Sequence, residues 1–200
     1  MWYSSVRMGL VGVLLGVLGA CTSNEVGPPA PLEGFGPGAA EPWLLVDTKR
    51  DSLVIMQGNK PVKTFSQLAF GSSGVGVKSN RGDNKTPLGV FRVGWINDHS
   101  RFKRFIGLDY PNIDYANRAL RERRIDALTY ERIRAAWVKG YTPPQDTPLG
   151  GQIGIHGVGS GNPGVHQAGI NWTSGCVALD NSQIDSLRPW VKIGMRVEIR

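Results

Sequence analysis

Short alternating runs of apolar and polar residues dominate the chain after position 42. "WLLVDTKRDSLVIMQGNKPVKTF" holds two strand-like stretches, Trp43–Thr48 and Ser52–Gln57, broken by the charged turn "KRD". A tight "GNKP" turn then leads into "VKTFSQLAF". A glycine-rich loop, "GSSGVGVKSNRGDNK", precedes a strand around Leu88–Trp95. "QIGIHG" and "CVAL" read as short buried strands, and "MRVEIR" alternates apolar and polar positions as a strand should. Two segments carry a different period. In "LTYERIRAAWVKG", Tyr130, Ile133 and Trp137 fall on one helical face, with Thr129 as N-cap and Glu131 in the first turn. "DNSQIDSLRPWV" predicts another helix, capped by Asp180 or Asn181. A further short helix fits "YANRALRERRIDAL", and the prolines of "YTPPQDTPLGG" end the helical stretch. The pattern predicts an α+β chain that is mainly β, with a basic helical insertion over about residues 101–146.

Composition narrows this only slightly. Two hundred residues suit one core, and 27 glycines and 13 prolines favour many turns over a helical bundle. The net charge of +7 permits an anionic partner. No helix-turn-helix, zinc-finger or RNA-binding signature accompanies it, so no nucleic-acid partner is expected. Residues 101–139 hold ten Lys/Arg against five Asp/Glu. They read as a solvated helical face or, alternatively, as a basic flap guiding an acidic substrate. The glycine-rich loop matches neither nucleotide-binding glycine pattern, and Arg81-Gly82-Asp83 within it needs no adhesion function.

The first residues read as a targeting segment. "MGLVGVLLGVLGA" is apolar for 13 residues, Met8–Ala20. That is too short to span a bilayer and suits the apolar core of a secretory signal peptide over residues 1–20. Its end, "LGAC", resembles a bacterial lipobox. The resemblance implies lipidation of Cys21, which removes that thiol from any disulfide with Cys176. With Thr22 next, not Asp, it implies an exported, periplasmic protein anchored in the outer membrane. Residues 21–42, rich in Gly, Pro and Ala, form a tether that would reach at most ~70 Å stretched and ~25 Å as a coil.

Chemistry concentrates near the end of the chain. Cys176 admits three readings: a buried small hydrophobe, half of a disulfide, or a nucleophile. Of the histidines His99, His156 and His166, the last two lie within twenty residues of it. An imidazole beside a thiol can take its proton and return it later. His156 follows a strand and is better positioned for this than His166, in a glycine-rich loop, or His99. Gly175 leaves room for a substrate carbonyl beside the cysteine, and nearby N–H groups suit an oxyanion. Three scattered histidines and one free thiol match no zinc spacing, so no metal is expected.

Taken together, His156-Gly157, "TSGC" at Thr173–Cys176 and Asn181 resemble the signature of the YkuD-type L,D-transpeptidases. "KTPLGVF", with Thr86, Pro87, Gly89 and Phe91, is similar to that family's T-P-x-G-x-F strand, and "YPN" and "WTSGCVAL" point to one branch of it. Ser174 stands where many members have a second histidine and Ala178 where many have arginine. The resemblance covers residues 43–200 and implies a β-sandwich or barrel-like YkuD domain with Cys176 as nucleophile and His156 as base. It implies orientation or oxyanion roles for Gly157, Ser174 and Gly175, substrate contacts from Trp172, Thr173 and His166, and a bracing role for Asn181. The implied activity uses no cofactor and acts as a monomer on peptidoglycan stem peptides. A diaminopimelate carbonyl passes through a cysteinyl thioester to an amine acceptor. Hydrolysis of cross-links or of peptidoglycan–protein links is the alternative; a non-catalytic wall-binding lipoprotein is another.

Overall fold

The computed structural model describes Met1 and residues 41–200 except Asn162. The signal peptide, Cys21 and nearly all of the tether lie outside the described residues. The chain divides into two compact units, residues 1–34 and 35–200, and every described strand and helix belongs to the second.

The described residues form ten strands and four α-helices. The strands are β1 (Pro42–Asp47), β2 (Ser52–Gln57), β3 (Lys60–Ser66), β4 (Val75–Gly76), β5 (Thr86–Pro87), β6 (Gly89–Ser100), β7 (Lys103–Leu108), β8 (Gly154–His156), β9 (Val177–Ala178) and β10 (Arg196–Ile199). The helices are α1 (Ile113–Arg121), α2 (Ala127–Val138), α3 (Pro163–Gln167) and α4 (Asn181–Leu187), and α4 runs on into a single 3-10 turn. Eight strands form one mixed sheet in the order β3-β2-β1-β10-β6-β7-β8-β9, while β4 and β5 pair separately. β10 returns from the end of the chain to lie parallel to β1 and antiparallel to β6.

The two ends of the sheet meet. Just beyond edge strand β3, the Ala69 N–H donates to the Ala178 carbonyl in β9 at 3.0 Å, and the Ala178 N–H returns the bond at 2.8 Å. Thr173 N–H reaches the Phe70 carbonyl, and Ser72 N–H reaches the Thr173 carbonyl. An unpaired edge is thereby covered, giving the barrel-like closure expected of a mainly β chain. The core inside it is aliphatic and aromatic, including fully buried Leu44, Ile55, Ile106, Ile155 and Leu179.

Three local expectations change. The strand foreseen over Leu88–Trp95 continues to Ser100 and turns directly into β7, so residues 103–108 belong to the central sheet and not to a helical insertion. Within the expected insertion the helical residues are 113–121 and 127–138, resting on a small cluster of Ala116, Ala119, Ile125, Ile133 and Leu149. The N-cap of α2 is Asp126, one turn before the expected site, because its carboxylate accepts from the Thr129 N–H at 2.7 Å. At α4 the cap is Asp180, not Asn181: its carboxylate accepts from Gln183 N–H at 2.7 Å while the Gln183 side chain accepts from the Asp180 N–H.

The "YPN" segment serves architecture. Tyr110 hydroxyl donates to the Leu149 carbonyl at 3.1 Å, and burial pushes its ionisation far above the ordinary tyrosine range. Asn112 caps α1 through Tyr115 N–H and donates to the Val90 carbonyl at 3.0 Å. Phe91 packs between Tyr110 and Tyr115 with ring centroids 6.2 and 6.3 Å away.

The Asp180 cap allows a direct check. Asp180→Ala is expected to lower unfolding stability by about 1 kcal/mol, read from the urea midpoint. An unchanged midpoint would show that the cap does not hold α4.

Candidate active site

β8 and β9 run parallel, with Ile155 beside Val177 and His156 beside Ala178. Continuing that register by one residue sets Cys176 beside Gly154. Alternate residues of a strand share a face. His156 and Cys176 therefore project to the same side, two positions apart, into one cleft of ≈580 Å³. Gln152, Trp172, Thr173 and Ser174 also line it, together with Trp95, Phe102 and Phe105.

The imidazole is fixed on three sides. Its Nδ1 lies 2.7 Å from the Gly157 carbonyl oxygen. A carbonyl only accepts, so Nδ1 carries the proton and Nε2 is left with a free lone pair. Phe102 stacks on the ring at 4.3 Å, Phe105 at 5.8 Å, and Trp172 meets it edge-on at 5.7 Å. Gly157 is required here by close approach: a Cβ would lie 2.8 Å from both Asn181 Oδ1 and the Phe102 carbonyl oxygen. Asn181 clamps the following loop by accepting from Gly159 N–H and donating to the Gly159 carbonyl, both at 2.8 Å. The cap of α4 is Asp180.

Two hydroxyls hold the cysteine turn. The Cys176 carbonyl accepts from Thr173 Oγ1 at 2.7 Å and from Thr86 Oγ1 at 3.3 Å. Thr173 Oγ1 also accepts from Gly175 N–H, and Thr86 Oγ1 from Gly71 N–H. Gly175 sits at φ +126°, with the Lys85 carbonyl oxygen 2.7 Å from where a Cβ would be. Only glycine tolerates both the conformation and the contact. Thr86 thus gives the T-P-x-G-x-F stretch a reason to exist: Pro87 and Phe91 are buried, Gly89 starts β6, and the threonine reaches the turn that carries the thiol.

Other expected site residues fall differently. Trp172 lines the cleft and Ser174 is exposed at its edge. Thr173 borders the cleft but is 4% exposed, and its hydroxyl is spent within the turn. The Gly175 N–H is likewise engaged and the Gly157 N–H reaches the Arg104 carbonyl, so neither is free for an oxyanion. His166 lines no part of the cleft: the loop forms α3, which turns its ring inward to 5% exposure. His99 is exposed at the end of β6.

Sequence reasoning passed over two supports. Gln152, at φ +56°, aims its carbonyl at the thiol, which donates to it at 3.4 Å. Its N–H is held by the Gln145 side chain at 2.7 Å. A non-glycine residue in left-handed backbone beside a reactive group is a familiar place for stored strain. Asp83, from the unremarkable "RGD", organises the loop ending at Lys85. It accepts from Lys78 Nζ at 2.5 Å and from the Ser79, Asn80 and Lys85 N–H groups. No local pattern marks either residue, because each works through partners distant in the chain or in a loop of unusual shape.

Burial sets the protonation of the pair. It pushes the Cys176 thiol up to about 11, against weaker opposing effects of the Gly154 backbone and Lys78. It lowers His156 to about 4, with His166 and Arg101 adding repulsion and the Gly157 carbonyl opposing. Near neutral pH the resting site is therefore a thiol beside a neutral imidazole. It can deliver a thiolate only as the proton passes to Nε2.

The chain belongs to the L,D-transpeptidase catalytic-domain family, YkuD, whose model matches residues 41–199. No curated protein sequence matches it. Among solved structures, it is similar to the helical cell shape determining protein Pgp2 of Campylobacter jejuni in its K307A form, at 18% identity and TM-score 0.52. The match covers 82% of this chain and 48% of that one. Bd1075 of Bdellovibrio bacteriovorus matches at 17% identity and TM-score 0.50, covering 80% and 48%. An L,D-transpeptidase of Xylanimonas cellulosilytica matches at 15% and 0.45, covering 82% and 62%. The chain spans about half the length of the first two.

Protonation gives the prediction for this site. Alkylation of Cys176 by iodoacetamide should keep accelerating as pH rises past the ordinary cysteine value of about 8.5, because the raised pKa leaves little thiolate below it. A rate already at its plateau in mildly acidic buffer would instead reveal a preformed thiolate–imidazolium pair.

Proposed function

We propose that this protein is a peptidoglycan L,D-transpeptidase that works by covalent catalysis at Cys176. One observation carries the reading: His156, its Nδ1 tied to the Gly157 carbonyl, shares a cleft with the thiol on adjacent parallel strands. The Cys176 Sγ attacks the diaminopimelate carbonyl of a stem peptide as Nε2 takes the thiol proton. The tetrahedral intermediate collapses to a thioester, and the proton passes from His156 to the departing D-amino-acid nitrogen. A second amine then attacks, His156 again moving the proton, and the thiol is restored. The product is a 3→3 cross-link or a protein joined to the wall. Water in place of the amine gives hydrolysis of the same bonds.

The lipobox-like "LGAC" supports export and lipid anchoring through Cys21, in the outer membrane and facing the periplasm, where the substrate polymer lies. A tether of the length between Cys21 and Trp43 leaves the domain free to reach that polymer as a monomer.

The test is product analysis by mass spectrometry after incubating the protein with purified muropeptides and an amine acceptor. Wild type should give cross-linked or acceptor-linked product, and Cys176→Ala none. His156→Ala should lose at least about 100-fold in rate, the scale of general acid–base catalysis. Shortened products alone would make the enzyme a hydrolase. Unchanged muropeptides with wild type would end the enzymatic reading and leave a wall-binding protein.

A further inference from the structure

The cleft is walled by aromatic rings and neutral amides and hydroxyls, and His156 is uncharged near neutral pH. Among the described residues lining it, one carries a fixed charge: Arg101. Arg101 also borders a second cavity of ≈360 Å³, which shares Phe102 and Trp172 with the cleft and is otherwise walled by uncharged residues. A single guanidinium thus stands at the partition between two chambers.

Its neighbours show that this cation is held in reserve. On the same end of the β6–β7 hairpin, Arg104 pairs with Asp98 and Asp185, Arg188 with Asp98, and Lys103 with Asp185. Those two carboxylates are occupied by three other cations, and no carboxylate among the described residues pairs with Arg101. The guanidinium lies over the Phe102 ring, 4.7 Å from its centroid, and that ring in turn stacks on His156 at 4.3 Å. A guanidinium on an aromatic face keeps its N–H edge free for a planar anion.

The turn beneath it is rigid. Phe102 N–H is held by Ser100 Oγ at 3.2 Å, and the Arg104 N–H by the Phe102 carbonyl at 2.9 Å. Gly159 packs against the turn so closely that a Cβ would lie 2.0 Å from the Arg101 carbonyl oxygen, and Asn181 clamps Gly159 on both sides. The ion pairs of Arg104 and Arg188 with Asp98 fix the strand that feeds it. An exposed side chain on so fixed a base is positioned for a ligand.

We propose that Arg101 is a substrate-binding residue that takes a carboxylate of the peptide lying across the two chambers, in bidentate geometry, and so selects acidic stem peptides over amidated ones. This rests on the proposed stem-peptide substrate. Two carboxylates have the required chemistry: the free one on the diaminopimelate side chain and the one at the peptide's C-terminus.

Binding, not turnover, tests it. A diaminopimelate-containing tetrapeptide is titrated calorimetrically into Cys176→Ala, alongside two forms amidated at one or the other carboxylate. The same titrations are run with Arg101→Ala and Arg101→Lys in that background. The expected result is a loss of roughly ten- to hundred-fold in affinity on Arg101→Ala for the acidic peptide, the range of a hydrogen-bonded charge. Amidation of one of the two carboxylates should cost the Arg101 protein a similar factor and cost the Ala variant nothing further, and it names which carboxylate is held. Arg101→Lys should fall between, keeping charge without the fork. Equal penalties for amidation with and without Arg101, or no measurable binding of the acidic peptide, would overturn the proposal. Coupling in the titrations together with inert wild-type enzyme would overturn the transfer reaction alone.

Discussion

The hydrogen bond from His156 Nδ1 to its neighbour's carbonyl is the constraint on which the site depends. It selects the tautomer, aims Nε2 into the cleft, and does so deep in an apolar setting where the ring stays neutral. Much of the surrounding fold preserves it. Gly157 has to lack a side chain for its carbonyl to sit there, because Asn181, Phe102 and Ile184 fill the space. Asn181 is set by the first turn of α4, whose cap is Asp180. A helix N-terminus is thus spent on orienting a base three elements away in sequence. The stacked Phe102 and Phe105 come from the β6–β7 hairpin, which adjoins β8 through backbone pairing.

The thiol is held by a different part of the chain. Thr86 arrives from β5 and Thr173 from the turn itself, and both bond the Cys176 carbonyl. The loop behind Lys85 is wound around Asp83. Burial pushes Asp83 up, but the Lys78 ammonium and three backbone N–H groups outweigh it and hold the carboxyl below its usual range. Barrel-like closure joins the two halves, since residues 69–72 zip against 173–178. Cys176 and His156 are therefore coupled through β8–β9 pairing and not through contact between their own loops.

The electrostatics are those of a dry site. A thiol pushed up and an imidazole pushed down are both kept neutral at rest, and the cost of desolvation falls on their charged forms. Such an arrangement slows casual oxidation of the Cys176 thiol, which follows thiolate character.

Local sequence determined a good deal. Strand segments, the mainly β character and the α4 helix were all legible, as were the motif positions of His156 and Cys176 that meet in one cleft, because period-two alternation, turn residues and one family-like pattern are properties of neighbouring positions. Its errors have physical causes as well. Thr129 lost the cap to Asp126 because the helix begins one turn earlier, where the Asp126 carboxylate accepts from the Thr129 N–H. "KRFIGL" looked like part of a charged insertion because its strand opens with Lys and Arg, whose charges are met by Asp98 across the hairpin and by Asp185 from α4. Thr173 and Gly175 spent their polar groups within the turn, and His166 was turned inward by α3. Which hydroxyls hold the turn, which carbonyl faces the thiol, and which arginine borders the cleft were decided only by the tertiary structure. Each depends on bonds and burial between residues tens of positions apart, and no local pattern encodes these.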